Sequence, residues 1–223
     1  MHVDHAPAAA TFLEELDLFA STVTGLDDDS LVAASHCRGW TVGDVVVHVH
    51  LGLQEMLLGL VSVVESAPDT DAGSYWRASL PTNDEAADRL DNVRFVRLLA
   101  AAYRRPSGLV RHLLPTVDGV RSAVRALPSG AVRFQGHVLS TGDFLATWAV
   151  ELAIHQLDLA RELTPAPPTA GSLRLTRATV EALAGFALPA SWDDRTVALL
   201  GAGRIRPDAA QSELIEARLP VLG

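Results

Sequence analysis

The run Glu151-Leu-Ala-Ile-His155-Gln-Leu-Asp158 sets three side chains that can bind a metal or move a proton at spacings of four and three. On an α-helix, positions four apart lie ~40° apart around the axis and ~6 Å apart along it. Glu151 and His155 therefore share a face, and Asp158 follows on the same side. Leu152, Ile154 and Leu157 supply apolar surface beside them. A carboxylate, an imidazole and a second carboxylate on such a helix are costly to bury unless something satisfies them, and a divalent metal would do so. Glu–His pairs at this spacing also occur on many solvated helix faces, so this run alone does not define a site.

A second segment supplies the missing donor. Val45-Val46-Val47-His48-Val49-His50-Leu51 is too apolar for a solvent-facing helix, so an imidazole within it is expected to be buried. In helical bundles, metal sites are built from inward side chains on facing helices. One histidine from this segment with Glu151 and His155 would suit Zn²⁺, Ni²⁺ or Fe²⁺ and leave a coordination position for water or substrate. His48 and His50 are ~200° apart around a helix, so only one of them can face such a site.

The elements that must position these groups follow from periodicity and caps. Phe12, Leu16, Phe19 and Ala20 form an apolar stripe that predicts a first helix over Thr11 to Val23, with Met1 to Ala10, including His2 and His5, as a frayed end. Asp27 to Ser30 read as a polar turn. Thr41 with Asp44 makes a capping-box start for a long second helix reaching Ser66, and Trp40 reads as its hydrophobic staple. Ala67 to Pro81 read as a loop. Thr82 with Glu85 opens a third helix to Tyr103, continuing to Leu127 with a break or kink expected at Pro106 and Pro115. Pro128 to Val138 look extended. Ser140 with Asp143 opens a fourth helix to Leu163, and Pro165, Pro167 and Pro168 mark a boundary. Beyond it, one helix over Leu175 to Phe186 is followed by segments at Ser191–Gly201 and Pro207–Leu219. The expected division is a four-helix unit over 1–165 and a mostly helical extension over 166–223 that packs on it.

Composition narrows the function classes. Nearly half of the 223 residues are hydrophobic and a fifth are charged, enough for a core that needs no structural metal. The one cysteine, Cys37, excludes an internal disulfide and fits a reducing, cytoplasmic compartment; it reads as a small buried hydrophobe rather than a nucleophile. A formal charge of −9 argues against a nucleic-acid surface. No stretch approaches the ~20 apolar residues that span a bilayer, and no signal peptide is visible. All 18 basic residues are arginine, which reflects coding bias. His36 and His112 lack partners at ligand spacing, and Gly201-Ala202-Gly203 is too short for a nucleotide loop.

Trp40-Thr41-Val42-Gly43-Asp44-Val45-Val46-Val47-His48 resembles the W-T-V-x-D-L-V-x-H segment of the DinB/YfiT-like metalloproteins, and specifically of their actinobacterial branch named after mycothiol-dependent maleylpyruvate isomerase. Glu151 to Leu159 matches that branch's E-x-x-x-H-x-x-D-L helix. The resemblance implies a mainly α fold, a DinB-like four-helix bundle with a small C-terminal extension. It also implies a metal, Zn²⁺ first, held by His48, Glu151 and His155, leaving His50 outside the site. Asp158 would be a catalytic or supporting carboxylate that orients water, thiol or substrate. The branch's isomerase carries an essential arginine in a larger C-terminal domain, and neither Arg204 nor Arg206 aligns with it by motif.

Two classes of function follow. The first is a metal-dependent thiol transferase or isomerase acting on a small electrophile, with a low-molecular-weight thiol such as mycothiol as co-substrate, working as a monomer or homodimer. The second is a non-catalytic DinB-like protein whose metal or small ligand only stabilises it. An arginine brought from the C-terminal part to the metal's neighbourhood would favour the first.

Overall fold

The computed structural model describes residues 1–78, 85–215 and 218–222. The chain runs α1 (His5–Thr24), α2 (Asp28–Val32), α3 (Val42–Leu60), β1 (Val63–Val64), α4 (Ser74–Ala78), α5 (Glu85–Ala101), α6 (Ser107–Ala126), β2 (Ala131–Phe134), β3 (His137–Ser140) and α7 (Thr141–Asp158). One 3₁₀ turn, Leu159–Arg161, leads to α8 (Ala170–Ala184), α9 (Asp194–Gly201) and α10 (Ala209–Ile215). The fold is mainly helical, as the sequence implies.

Four long helices pack in a closed cycle, α1 on α7, α7 on α3, α3 on α6 and α6 on α1. The α1 stripe Phe12, Leu16, Phe19 and Ala20 is buried in their common core. α7 lies deepest: of its 18 residues only Glu151 is not buried. A helix that is apolar around most of its circumference has no solvent face to offer, so it becomes the central element. Its outward side, Val150 and Ile154, closes a second small core with Val180, Val197, Ala202 and Ile215 from the C-terminal segment.

Thr41 and Asp44 start α3 with a reciprocal box, Asp44 N donating to Thr41 Oγ1 at 3.2 Å and Thr41 N to Asp44 Oδ2 at 2.8 Å. At α7 only half of the corresponding box forms. Ser140 Oγ accepts from Asp143 N at 3.0 Å, but the Asp143 carboxylate takes Val3 N at 2.8 Å and His2 Nδ1 at 3.0 Å. The N-terminal residues are thus tied down rather than frayed. His5 Nδ1 lies 2.9 Å from Thr141 Oγ1, and α1 begins six residues before the expected Thr11. Gly142 permits the contact, since a Cβ there would sit 2.0 Å from the Val3 carbonyl oxygen.

Other boundaries also moved. α3 stops at Leu60 instead of Ser66 because Val63 and Val64 leave the helix to pair with Val132 and Ala131; a short Val-rich run fits strand as well as helix. The extended stretch is a hairpin, β2 antiparallel to β3, turned by Gln135 and Gly136 at φ 48° and 83°, the paired positive angles of a tight hairpin turn. Asp27 caps the short α2 where a plain turn was expected, and α4 lies in the expected loop. Pro106 separates α5 from α6, but Pro115 sits inside α6 without ending it. Pro115 and Arg111, whose carbonyl loses its helical donor, both lie on the exposed face. Thr82, expected to cap α5, lies outside the described residues. α8 starts at Ala170, five residues before the expected Leu175, because Thr169 Oγ1 accepts from Ser172 N at 3.2 Å.

Candidate metal centre

α3 crosses α7 so that His48 meets Glu151 and His155. Glu151 Oε1 stands 3.2 Å from His48 Nε2 and 3.2 Å from His155 Nε2. The two imidazole centroids are 4.7 Å apart at 73°. One ligand atom from each of the three residues lies within 4.8 Å of the others. Side-chain exposures of 28% for His48, 26% for Glu151 and 6% for His155 mean that the cluster opens to solvent on the His48 and Glu151 side, over a buried His155.

Behind His155 lies Asp158. His155 Nδ1 is 2.9 Å from Asp158 Oδ2, on the opposite side of the ring from Glu151. The same oxygen accepts from Cys37 Sγ at 3.0 Å and Arg204 Nη2 at 3.2 Å, and Oδ1 accepts from Arg204 Nε at 2.8 Å. Asp158 is fully buried. Cys37, His155 and Asp158 also bring ligand-type atoms within 4.8 Å of one another. In that second cluster the Arg204 guanidinium already sits against two of the three residues, Asp158 and Cys37.

The electrostatics follow from this sandwich. Burial, the largest influence, would raise Glu151 and Asp158, but His155 with His48 at Glu151, and His155 with Arg204 at Asp158, together outweigh it, so both stay ionised well below the usual carboxylate range. Burial would lower His155, yet Glu151 and Asp158 together carry it well above the ordinary imidazole value. Burial raises the Cys37 thiol, only partly offset by His155, so it stays protonated and serves as a weak donor.

His50 faces away, with Nε2 3.0 Å from Thr116 Oγ1 and its ring edge-on to His112 at 4.5 Å. Trp40 leans on His48, ring centroids 5.2 Å apart at 48°. Cys37, expected to be a small hydrophobe, is instead a donor to Asp158; it lies three residues before Trp40, which could have placed it near His48. Of the two C-terminal arginines singled out by the sequence, Arg204 reaches Asp158, 46 residues earlier, although no spacing rule connects them.

The model of the mycothiol maleylpyruvate isomerase N-terminal domain family matches residues 12–160, a span that contains His48, Glu151, His155 and Asp158. The chain belongs to this family. Two solved structures are similar to it. Mycothiol-dependent maleylpyruvate isomerase superposes with a TM-score of 0.52 at 16% identity, over 78% of this chain and 68% of that one. A histidine-to-alanine mutant of an enzyme of the same name gives 0.59 at 13% identity, over 89% and 88%. At these identities the likeness is one of fold. No curated protein matches the chain.

Proposed function

We propose that this protein is a metal-dependent transferase or isomerase that brings a low-molecular-weight thiol of the mycothiol type to a small electrophile, with His48, Glu151 and His155 holding the metal. The observation that carries this reading is the convergence of two Nε2 atoms and one carboxylate oxygen beneath an opening to solvent. Two imidazoles and a carboxylate are a fitting donor set for Zn²⁺, and also for Ni²⁺ or Fe²⁺. Bound there, such an ion would favour the thiolate over the thiol, the form that attacks.

The chain's own residues prepare that chemistry. Glu151 is ionised and offers negative charge between the two imidazoles. Asp158 accepts a hydrogen bond from His155 Nδ1–H, so the lone pair a metal would use lies on Nε2, toward the opening. Trp40 backs the His48 ring. Asp158 acts through His155 in this reading, because its oxygens already receive four donors and face away from the opening. Cys37 is occupied as a donor to Asp158, so the reacting sulfur comes from the co-substrate. Among the described residues no helix is long and apolar enough to cross a membrane, and a cytoplasmic setting belongs to the proposal.

The family's name makes maleylpyruvate the first electrophile to try. The test is zinc content of the purified protein together with thiol-dependent conversion of maleylpyruvate. Zinc and turnover in the parent, both lost in His155→Ala, support the reading. Stoichiometric zinc with no turnover on any electrophile and thiol pair would favour a non-catalytic binder.

A further inference from the structure

Three separate stretches of chain converge on the Asp158 carboxylate: the loop before α3 through Cys37, the end of α7, and the turn after α9 through Arg204. Arg204 donates from Nε to Oδ1 at 2.8 Å and from Nη2 to Oδ2 at 3.2 Å, while the same Nη2 approaches Cys37 Sγ at 3.3 Å. The turn that delivers Arg204 is built into the C-terminal segment. Arg204 N donates to Leu199 O at 2.8 Å and Nη1 to Ala202 O at 2.9 Å, and Val221 N and Leu222 N both donate to Gly201 O at 2.9 Å. Asp158 is fully buried and Arg204 keeps 19% side-chain exposure, so the segment covers the carboxylate. A two-point guanidinium grip fixes the plane of a carboxylate as well as its position. The orientation that satisfies Arg204 is the one that presents Oδ2 to both Cys37 Sγ and His155 Nδ1.

We propose that Arg204 and Cys37 are positioning residues for the metal centre, and that through them docking of the C-terminal segment and metal occupancy form one coupled equilibrium. This rests on the ligand set proposed above. If the docked segment holds His155 in its ligating orientation and so raises metal affinity, then bound metal must by linkage hold the segment docked to the same factor. Partners that orient a ligating histidine typically change metal affinity ~10–100-fold when removed.

The experiment measures Zn²⁺ affinity by competition with a chromophoric chelator, and amide exchange over residues 194–204 with and without Zn²⁺, on the full chain. In the parent, Zn²⁺ slows exchange in α9 and the turn. Arg204→Met and Cys37→Ala, each checked for parental helical circular dichroism, are expected to weaken Zn²⁺ ~10–100-fold and to lose that slowing. Arg204→Lys and Cys37→Ser each keep one donor toward Asp158 and should recover part of both effects, whereas Arg195→Ala, at an exposed position on α9, should change neither. Lower stability with parental Zn²⁺ affinity in Arg204→Met would make Arg204 a plain staple and overturn the coupling. Should Arg204→Met fail to fold, parental affinity in both Arg204→Lys and Cys37→Ala overturns it equally. A parent chain that binds no Zn²⁺ overturns the ligand set itself, and the coupling with it.

Discussion

Asp158 holds His155 from behind: its Oδ2 lies 2.9 Å from Nδ1 of a ring whose Nε2 faces Glu151 3.2 Å away. Removing the carboxylate should therefore act on the metal and on stability together. Asp158→Asn keeps the shape and should lower zinc affinity ~10–100-fold while leaving the ligand set in place. Asp158→Ala also strands the Arg204 guanidinium and should cost ~3–5 kcal/mol in urea unfolding. Parental zinc affinity in Asp158→Asn would mean that His155 orients itself without help.

Zinc should stabilise the fold without being required for it. The four charged and imidazole groups of the centre already satisfy one another, and the four long helices share a continuous apolar core. After chelation the helical circular dichroism should persist. Saturating zinc should raise the unfolding free energy by about 4 kcal/mol at a free concentration ~1,000 times Kd. Loss of helix on chelation would make the ion structural instead.

Gly142 is where α7 admits the residues before α1. Gly142→Ala would press a methyl group against the Val3 carbonyl, which stands 2.0 Å from where that Cβ falls. The expected cost is ~1–3 kcal/mol by urea unfolding, with release of Val3 and His2 from Asp143. Parental stability would show that this packing is looser than it looks.

Glu15 is fully buried between α1 and the start of α8, where it accepts from Thr169 N at 2.8 Å and from the Ser172 hydroxyl. Burial, the largest influence, raises its carboxyl above the ordinary value despite those bonds. The folded state therefore binds this proton more tightly than the unfolded chain does. The contribution is full below the unfolded value of ~4.3 and is lost as pH rises through the higher folded value. Glu15→Gln keeps an acceptor for both donors without the charge, so its stability relative to the parent should rise as pH climbs from the unfolded value through the folded one and level off above it. A parent-to-variant difference that stays constant from pH 4 to 8 would contradict this.

The legible parts of this molecule were those set by local chemistry. Thr41 with Asp44 and Ser140 with Asp143 marked the starts of α3 and α7, since caps act over three residues. The four-residue period put Glu151 and His155 on one face for the same local reason. What stayed hidden depends on distant chain. Val63 and Val64 pair with a hairpin about seventy residues on. His2 and His5, which looked frayed, are held by residues at the start of α7. Arg204 meets Asp158 only because the segment after α8 folds back. The role of Cys37 could not be read either, because a buried thiol looks apolar until its acceptor is known.

Elemental analysis of the purified parent, His48→Ala, His155→Ala and His50→Ala tests the metal centre most directly. The parent and His50→Ala should each carry about one Zn²⁺, Ni²⁺ or Fe²⁺ per chain, because His50 faces Thr116 and His112. His48→Ala and His155→Ala should carry almost none, as each removes one of three converging donors. Metal retained in both of those variants, or lost only in His50→Ala, would contradict the proposed centre.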